Sequence, residues 1–85
     1  MAKYNILIKK SASKELKNLP HKDLPKIIAK IESLADVPRP QGVEKLTSQE
    51  YYRLRVGNYR IIYSIEDDRL IVLIIKLGHR KDVYR

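Results

Sequence analysis

The sequence predicts an α+β domain in which a helical hairpin packs on a small, mostly antiparallel sheet. Two short strands joined by a Gly57-Asn58 turn predict part of the sheet, and a continuous apolar run over 70–77 predicts a further strand. An earlier stripe of apolar residues at helical spacing predicts the helices. A chain of 85 residues forms one small domain, here residues 1–85, with one modest core. The predicted order of elements is therefore β-α-α-β-β-β.

The N-terminal half is predicted to contain one strand and two helices. Residues 3–9 have the composition of a strand, and Ser11 or Ser13 can cap a short helix that ends before a Leu-Pro break. Asp23 is the predicted N-cap of the second helix, where Pro25 is tolerated in the first turn. The stripe predicted to face the core consists of Leu24, Ile27, Ile28, Ile31, Leu34 and Ala35.

The hairpin of residues 52–63 places three arginines on one face. Gly before Asn suits a type II′ turn, because Gly tolerates the required positive φ. The turn then pairs Arg55 with Arg60, and strand alternation puts Arg53 on the same face. The Arg55–Arg60 pair falls at a site where side chains approach closely, and like charges there destabilise by roughly 0.2–1 kcal/mol.

A bound polyanion would explain this arginine cluster. The alternative is three solvated arginines that bend apart or pair with Glu44 or Glu50. The first interpretation is favoured because like charges on paired strands are otherwise selected against by their repulsion.

The predicted second turn, Glu66–Arg69, extends the register into the apolar run. Arg60 is then predicted to face Ile75, and the run reads as a central strand covered on both faces. The arginine face would also carry apolar side chains, namely Ile62, Ile71, Leu73 and Ile75. The sequence leaves open which face the helices cover. If they cover the opposite one, an apolar patch beside the arginines remains exposed, which is typical of a partner site.

Composition favours a polyanionic or acidic partner. There are 18 basic and 10 acidic residues, a net charge of +8. Eight of eleven lysines precede residue 43, whereas six of seven arginines follow residue 50. The absence of cysteine excludes disulfide and thiolate chemistry, and no His, Asp and Glu cluster has metal-ligand spacing, so neither cofactor nor metal is expected. No apolar run approaches ~20 residues and no signal peptide is seen, so a cytoplasmic location without membrane contact is expected.

The C-terminal tail, residues 78–85, concentrates groups suited to phosphodiester cleavage. That reaction needs a proton acceptor, a donor for the leaving oxygen and positive charge on the phosphorane, and RNA supplies its own 2′-hydroxyl nucleophile. His79, with an ordinary pKa of ~6.5, is the conventional acid or base. Tyr84 has an ordinary pKa of ~10, which nearby guanidiniums would lower. Simple ring packing of Tyr84 and a surface position for His79 are the alternatives.

These motifs resemble the RelE-type toxins of the RelE/ParE superfamily, the toxic half of type II toxin–antitoxin pairs. The resemblance covers essentially the whole chain and is most specific over residues 52–63 and 78–84, with weaker support from residues 16–20. It implies the RelE-like fold and a metal-independent endoribonuclease that cuts mRNA in the ribosomal A site, leaving a 2′,3′-cyclic phosphate. It also implies a cognate antitoxin as partner, with contact to operator DNA only through that antitoxin.

The resemblance also implies roles for individual residues. Arg60 matches the arginine that stabilises the scissile phosphate, Arg80 the one at the leaving oxygen, and Tyr84 the tyrosine that orients or deprotonates the 2′-hydroxyl. Arg53 and Arg55 occupy positions that are often lysine, and arginine cannot act as a base. If a lysine at these positions is the base in the family, Tyr84 or His79 must take that role in this chain. The expected RNA-binding residues are Arg53, Arg55, His79 and Lys81.

Two other functions fit the same features. A ParE-like inhibitor of DNA gyrase shares the fold without being a nuclease, and an inert RNA- or antitoxin-binding module would also use a basic face. The combination of Arg80 with Tyr84 favours the nuclease.

Overall fold

A five-stranded sheet with two helices on one face forms the fold in the computed structural model, which describes residues 3–46 and 50–79. The elements are β1 (Asn5–Ile8), α1 (Lys10–Lys17), α2 (Leu24–Ser33), β2 (Glu44–Lys45), β3 (Tyr51–Val56), β4 (Tyr59–Glu66) and β5 (Ile71–His79). The strand order is β1-β5-β4-β3-β2. The predicted α+β class and the helical hairpin are confirmed.

The sheet is mixed rather than uniformly antiparallel. β1 runs parallel to β5, and the three other strand pairs are antiparallel. The two-residue strand β2 was not predicted, because so short a segment has no periodic signal. None of the helices in the described ranges is long and apolar enough to cross a membrane.

Both helices begin without a side-chain cap. α1 starts after Lys9, so the predicted capping by Ser11 or Ser13 is wrong. Asp23 does occupy the N-cap position of α2, and Pro25 lies in its first turn as predicted. The Asp23 carboxylate makes no cap hydrogen bond and instead accepts one from the Tyr59 hydroxyl at 2.7 Å. The N-cap residue therefore ties the helix to the sheet.

The helices cover the face of the sheet opposite the arginines, which answers the question that the sequence left open. The core consists of Ala12, Ile27, Ile31, Leu34, Leu54, Val56, Tyr59, Ile61, Tyr63, Val72, Ile74 and Leu77. The predicted helix stripe contributes Ile27, Ile31 and Leu34 to this cluster, whereas Ile28 is 41% exposed and is not part of the core. A helix contacts a sheet along one narrow stripe, so apolar side chains at the margin of that stripe, such as Ile28, do not reach the sheet.

The β3–β4 hairpin has the predicted register. Arg55 pairs with Arg60, and Arg53 pairs with Ile62. Gly57 has a φ of +60°, and Leu70 is the one non-glycine residue of the described ranges with positive φ, so Asn58 is not left-handed. That combination is the predicted type II′ turn.

The register between β4 and β5 differs from the prediction. Glu66 pairs with Ile71, so the turn has four residues rather than two. A β-bulge follows, because Tyr63 pairs with Ile74 whereas Ile62 pairs with Lys76, which leaves Ile75 as the extra residue. Arg60 consequently lies opposite Gly78, not Ile75.

The prediction that β5 is covered on both faces is also wrong. Val72, Ile74 and Leu77 are buried beneath the helices, whereas Leu73 on the other face is half-buried. The helices form a single layer, so one side of the strand stays without helical cover.

Candidate nucleic-acid interface

The sheet face without helices, here called the open face, gathers cations from three adjacent strands. β3 contributes Arg53 and Arg55, and β4 contributes Arg60. Lys76 of β5 lies on the same face, because it pairs with Ile62, which in turn pairs with Arg53. The predicted arginine cluster is therefore present, with an added lysine.

Arg55 and Arg60 differ sharply in exposure. Arg55 lies exposed on β3, whereas Arg60 is only 3% exposed. The alternative of three solvated arginines is therefore wrong for Arg60. β4 is the middle strand of the sheet, with β3 and β5 on its two sides, so its side chains have the least access to solvent.

Arg53 forms an ion pair. Its Nη2 donates to Oε2 of Glu44 at 3.0 Å, and the Arg53 side chain is 17% exposed. Strand β2 makes this possible, because it places Glu44 directly opposite Arg53. The alternative in which arginines pair with acidic neighbours thus holds for Arg53 and Glu44. Glu50 lies 3.6 Å from Lys45 instead.

Apolar side chains extend the open face toward the β1 edge. Ile62 is 8% exposed, and Leu73 of β5 is half-buried. Leu7 of β1 pairs with Leu73 and is 49% exposed. An apolar patch does lie beside the cations, but Ile62 is buried rather than exposed as expected, so Leu73 and Leu7 supply the accessible part of the patch.

His79 lies on the other side of the sheet from the arginines. It pairs with Tyr59, and the two rings meet edge to face with centroids 5.9 Å apart. The Tyr59 hydroxyl donates to Asp23, and this hydrogen bond raises the pKa of Tyr59, as does its burial. The structure therefore does not bring His79 together with Arg53, and its role in RNA binding stays a prediction.

The sequence reasoning missed Lys76. In the predicted register Lys76 shares the face of Val72 and Ile74, which is the core face, and the bulge at Ile75 moves it to the open face. The sequence did contain a signal, because the predicted register placed a lysine on the core face and lysine is almost never fully buried. That conflict indicated an irregularity in the register of the strand.

Three predicted site residues, Arg80, Lys81 and Tyr84, lie outside the described residues. Within the ranges 3–46 and 50–79 no group of three His, Asp or Glu side chains is placed to hold a metal ion.

Clustered cations on the face of the sheet opposite the helical layer create a positive potential, which attracts anionic groups. Residues 6–84 match the family described as the ParE toxin of the type II toxin–antitoxin system parDE. The chain is 36% identical to RelE1 of Methanocaldococcus jannaschii, named as a toxin, over 98% of this chain and 97% of that protein. It is 33% identical to the toxin RelG of Mycobacterium tuberculosis over 96% and 97%.

The fold is shared as well. The crystal structure of the archaeal RelE–RelB complex from Pyrococcus horikoshii contains a chain that matches with a TM-score of 0.83 and 31% identity, covering 96% of this chain and 99% of that one. The chain belongs to the RelE/ParE superfamily of type II toxin–antitoxin toxins and is of the RelE type.

Proposed function

We propose that this toxin is a ribosome-dependent endoribonuclease that cuts mRNA in the ribosomal A site. The observation that carries the proposal is the direct pairing of Arg55 with Arg60 on the open face, beside Lys76. Such a concentration of like charge on paired strands is unfavourable by itself and becomes favourable when a phosphate backbone lies on it. Membership of the RelE type supports the proposal, because this is the activity that the resemblance implies.

The chemistry is an in-line transfer within the RNA strand. The 2′-oxygen bonds to the adjacent phosphorus as the bond to the 5′-oxygen breaks, which yields a 2′,3′-cyclic phosphate and a 5′-hydroxyl end. Tyr84 takes the 2′-hydroxyl proton, Arg60 stabilises the charge on the phosphorane, and Arg80 stabilises the leaving 5′-oxygen, which takes a proton from water to become the 5′-hydroxyl. Arg53 and Arg55 bind the backbone but cannot be bases, because guanidinium keeps its proton in proteins.

The burial of Arg60 adds a condition to this scheme. Because its side chain is 3% exposed, a phosphate reaches it only when the groups that cover it move. A guanidinium held away from bulk water interacts more strongly with an anion once the two meet, because the effective dielectric constant is lower. The proposed site is therefore completed on binding, which accords with a requirement for the ribosome to position the substrate.

A cognate antitoxin is the proposed protein partner. The Pyrococcus horikoshii relative was solved as a complex with RelB. We propose that the antitoxin of this chain covers the open face, because that face offers cations and the apolar side chains of Leu7 and Leu73 together. Operator DNA would then be contacted only through the antitoxin.

The test is primer extension on mRNA in a translation reaction that contains the purified protein. Cleavage at A-site codons is expected, and the single-turnover rate on programmed ribosomes should fall at least about 10²-fold in Tyr84→Phe, the usual scale for lost acid–base help. Ribosome binding should stay near wild type, because the ring remains.

His79→Gln is the matched variant and should lower the rate less, because the His79 ring packs on Tyr59 across the sheet. Normal cutting by Tyr84→Phe with a loss in His79→Gln would make His79 the base. Intact mRNA together with inhibition of DNA gyrase would overturn the proposed nuclease.

A further inference from the structure

The β-bulge at Ile75 creates a cationic position that the arginine pattern does not include. It turns Lys76 onto the open face opposite Ile62, whose other neighbour across the sheet is Arg53. Lys76 and Arg53 thus stand two strand spacings apart, about 10 Å between Cα atoms. Arg53 is already paired with Glu44, whereas no ion pair joins Lys76 to a carboxylate in the described part of the chain.

Lys76 also lines an open cavity between α1 and β5. The cavity has a volume of about 360 Å³ and is lined by Lys9, Ser11, Glu15, Ile75 and Lys76. It exists because β1 ends at Ile8 while β5 continues to His79, so α1 replaces the missing strand beside β5. Because Lys76 also belongs to the open face, the cavity lies at the margin of that face.

The polar groups of the cavity favour an anion. Oε1 of Glu15, the one acidic side chain among the described residues of the lining, accepts a hydrogen bond from the Leu77 backbone N–H at 3.2 Å. That bond satisfies an N–H that β1 would otherwise have paired. The Lys9 and Lys76 ammonium groups remain, together with the Ser11 hydroxyl, and neither lysine has an ion-pair partner among residues 3–46 and 50–79.

We propose that Lys76, with Lys9 beside it, binds an mRNA phosphate adjacent to the scissile one. This inference rests on the proposed nuclease activity. It assigns the mRNA strand a path from the Arg55–Arg60 pair across Ile62 to the cavity. An ammonium group is a compact, mobile charge that suits a backbone phosphate without demanding a fixed geometry. Two lysines against one glutamate give the lining a net positive charge toward such a ligand.

The experiment is a double-mutant cycle that measures the coupling in binding free energy between the Lys76 side chain and single mRNA phosphates. Ribosomes are programmed with mRNA that carries a 2′-deoxy nucleotide at the cleavage position, so that the nucleophile is absent and binding alone is measured. Single phosphates around this position are replaced in turn by uncharged methylphosphonates. At one flanking position the replacement should weaken wild-type binding several-fold and leave Lys76→Met unaffected, because the contact is already lost. Lys76→Arg should restore the sensitivity.

Lys22→Met is the control, since it removes the same charge from an exposed lysine outside the cavity lining. It should show the wild-type response at every phosphate. Uncleaved native mRNA and no ribosome binding by the wild type would overturn the proposed function and this inference with it. Normal cutting by the wild type, with identical phosphate responses in wild type and Lys76→Met, would overturn the inference alone. Loss of antitoxin binding in Lys76→Met without phosphate coupling would likewise overturn it and assign the cavity to the protein partner.

Discussion

At the scale of single residues, Arg60 combines a proposed catalytic role with a structural one. It pairs with Arg55 across the hairpin, yet Arg55 is exposed and Arg60 is 3% exposed. A buried cation is stable only when its surroundings compensate for lost hydration, so its removal disturbs more than a surface substitution does. Loss of toxicity on changing Arg60 is therefore ambiguous unless stability is measured as well.

Arg60→Ala is expected to lower the free energy of unfolding by about 2 kcal/mol, the range for truncating a buried side chain with its interactions. Arg55→Ala should change it by less than about 0.5 kcal/mol, as for an exposed surface site. Urea denaturation followed by circular dichroism measures both. Equal stabilities of Arg60→Ala and wild type would show that the burial of Arg60 contributes nothing to folding.

At the scale of elements, the connector between α2 and β2 is fastened to the sheet by side chains from β3, β4 and the turn after β4. The Tyr63 hydroxyl donates to the Pro38 carbonyl oxygen at 2.8 Å. Arg39 forms a two-pronged ion pair with Asp67, at 2.9 and 3.2 Å, and its guanidinium lies 5.3 Å from the centre of the Tyr52 ring. These contacts close the end of the domain away from the Gly57-Asn58 turn.

Tyr63 makes this closure sensitive to high pH. Burial raises the pKa of Tyr63 to about 12, whereas an unfolded tyrosine has a pKa of ~10. Between these values the unfolded chain releases a proton that the folded chain retains. The contribution of Tyr63 to the unfolding free energy is therefore complete below pH ~10 and is lost as the pH rises toward 12. The unfolding free energy of wild type should therefore drop more steeply over this interval than that of Tyr63→Phe.

The reference is the difference in unfolding free energy between Tyr63→Phe and wild type at neutral pH. Loss of the bond to Pro38 should make Tyr63→Phe less stable there by about 1 kcal/mol. Chemical denaturation at a series of pH values gives both quantities. Parallel curves from pH 9 to 12 would contradict a buried, protonated Tyr63.

At the scale of the whole molecule, the sheet separates the helical layer on one side from the open face on the other. The net charge is +8, and the open face presents cations beside apolar side chains, including Leu7 at 49% exposure. Charge attraction accelerates association with an acidic partner, whereas apolar burial resists screening by salt. A partner that covers the whole face would use both.

The complex with the cognate antitoxin is therefore expected to survive about 1 M salt, where the screening length is ~3 Å. Leu73→Ser should make it dissociate at lower salt, because Leu73 lies in the apolar part of the open face. Val37→Ser, at a residue 54% exposed in the segment after α2, is the control and should behave as wild type. Size-exclusion chromatography at stepped salt concentrations measures the difference, and full dissociation of the wild-type complex at 1 M would exclude the apolar contribution.

Local chemistry in the sequence was sufficient for the class of fold and for the hairpin that carries the arginines. The Gly57-Asn58 turn sets the pairing of Arg55 with Arg60, because a two-residue turn admits one register. The helix stripe and the apolar strand also follow from periodicity, and the motifs of residues 52–63 and 78–84 pointed to the superfamily that the comparisons establish.

Long-range pairing decided the rest. The four-residue turn before Ile71 and the bulge at Ile75 depend on how β5 meets β1, β4 and α1 together, and no short segment encodes that balance. The same holds for the burial of Arg60, which follows from the central place of β4 in the sheet. The sequence by itself therefore determined which residues are cations on strands. Only the tertiary structure decided that the helices leave the arginine face uncovered and that Lys76 joins that face, because a shift of one residue in pairing moves a side chain to the opposite side of a sheet.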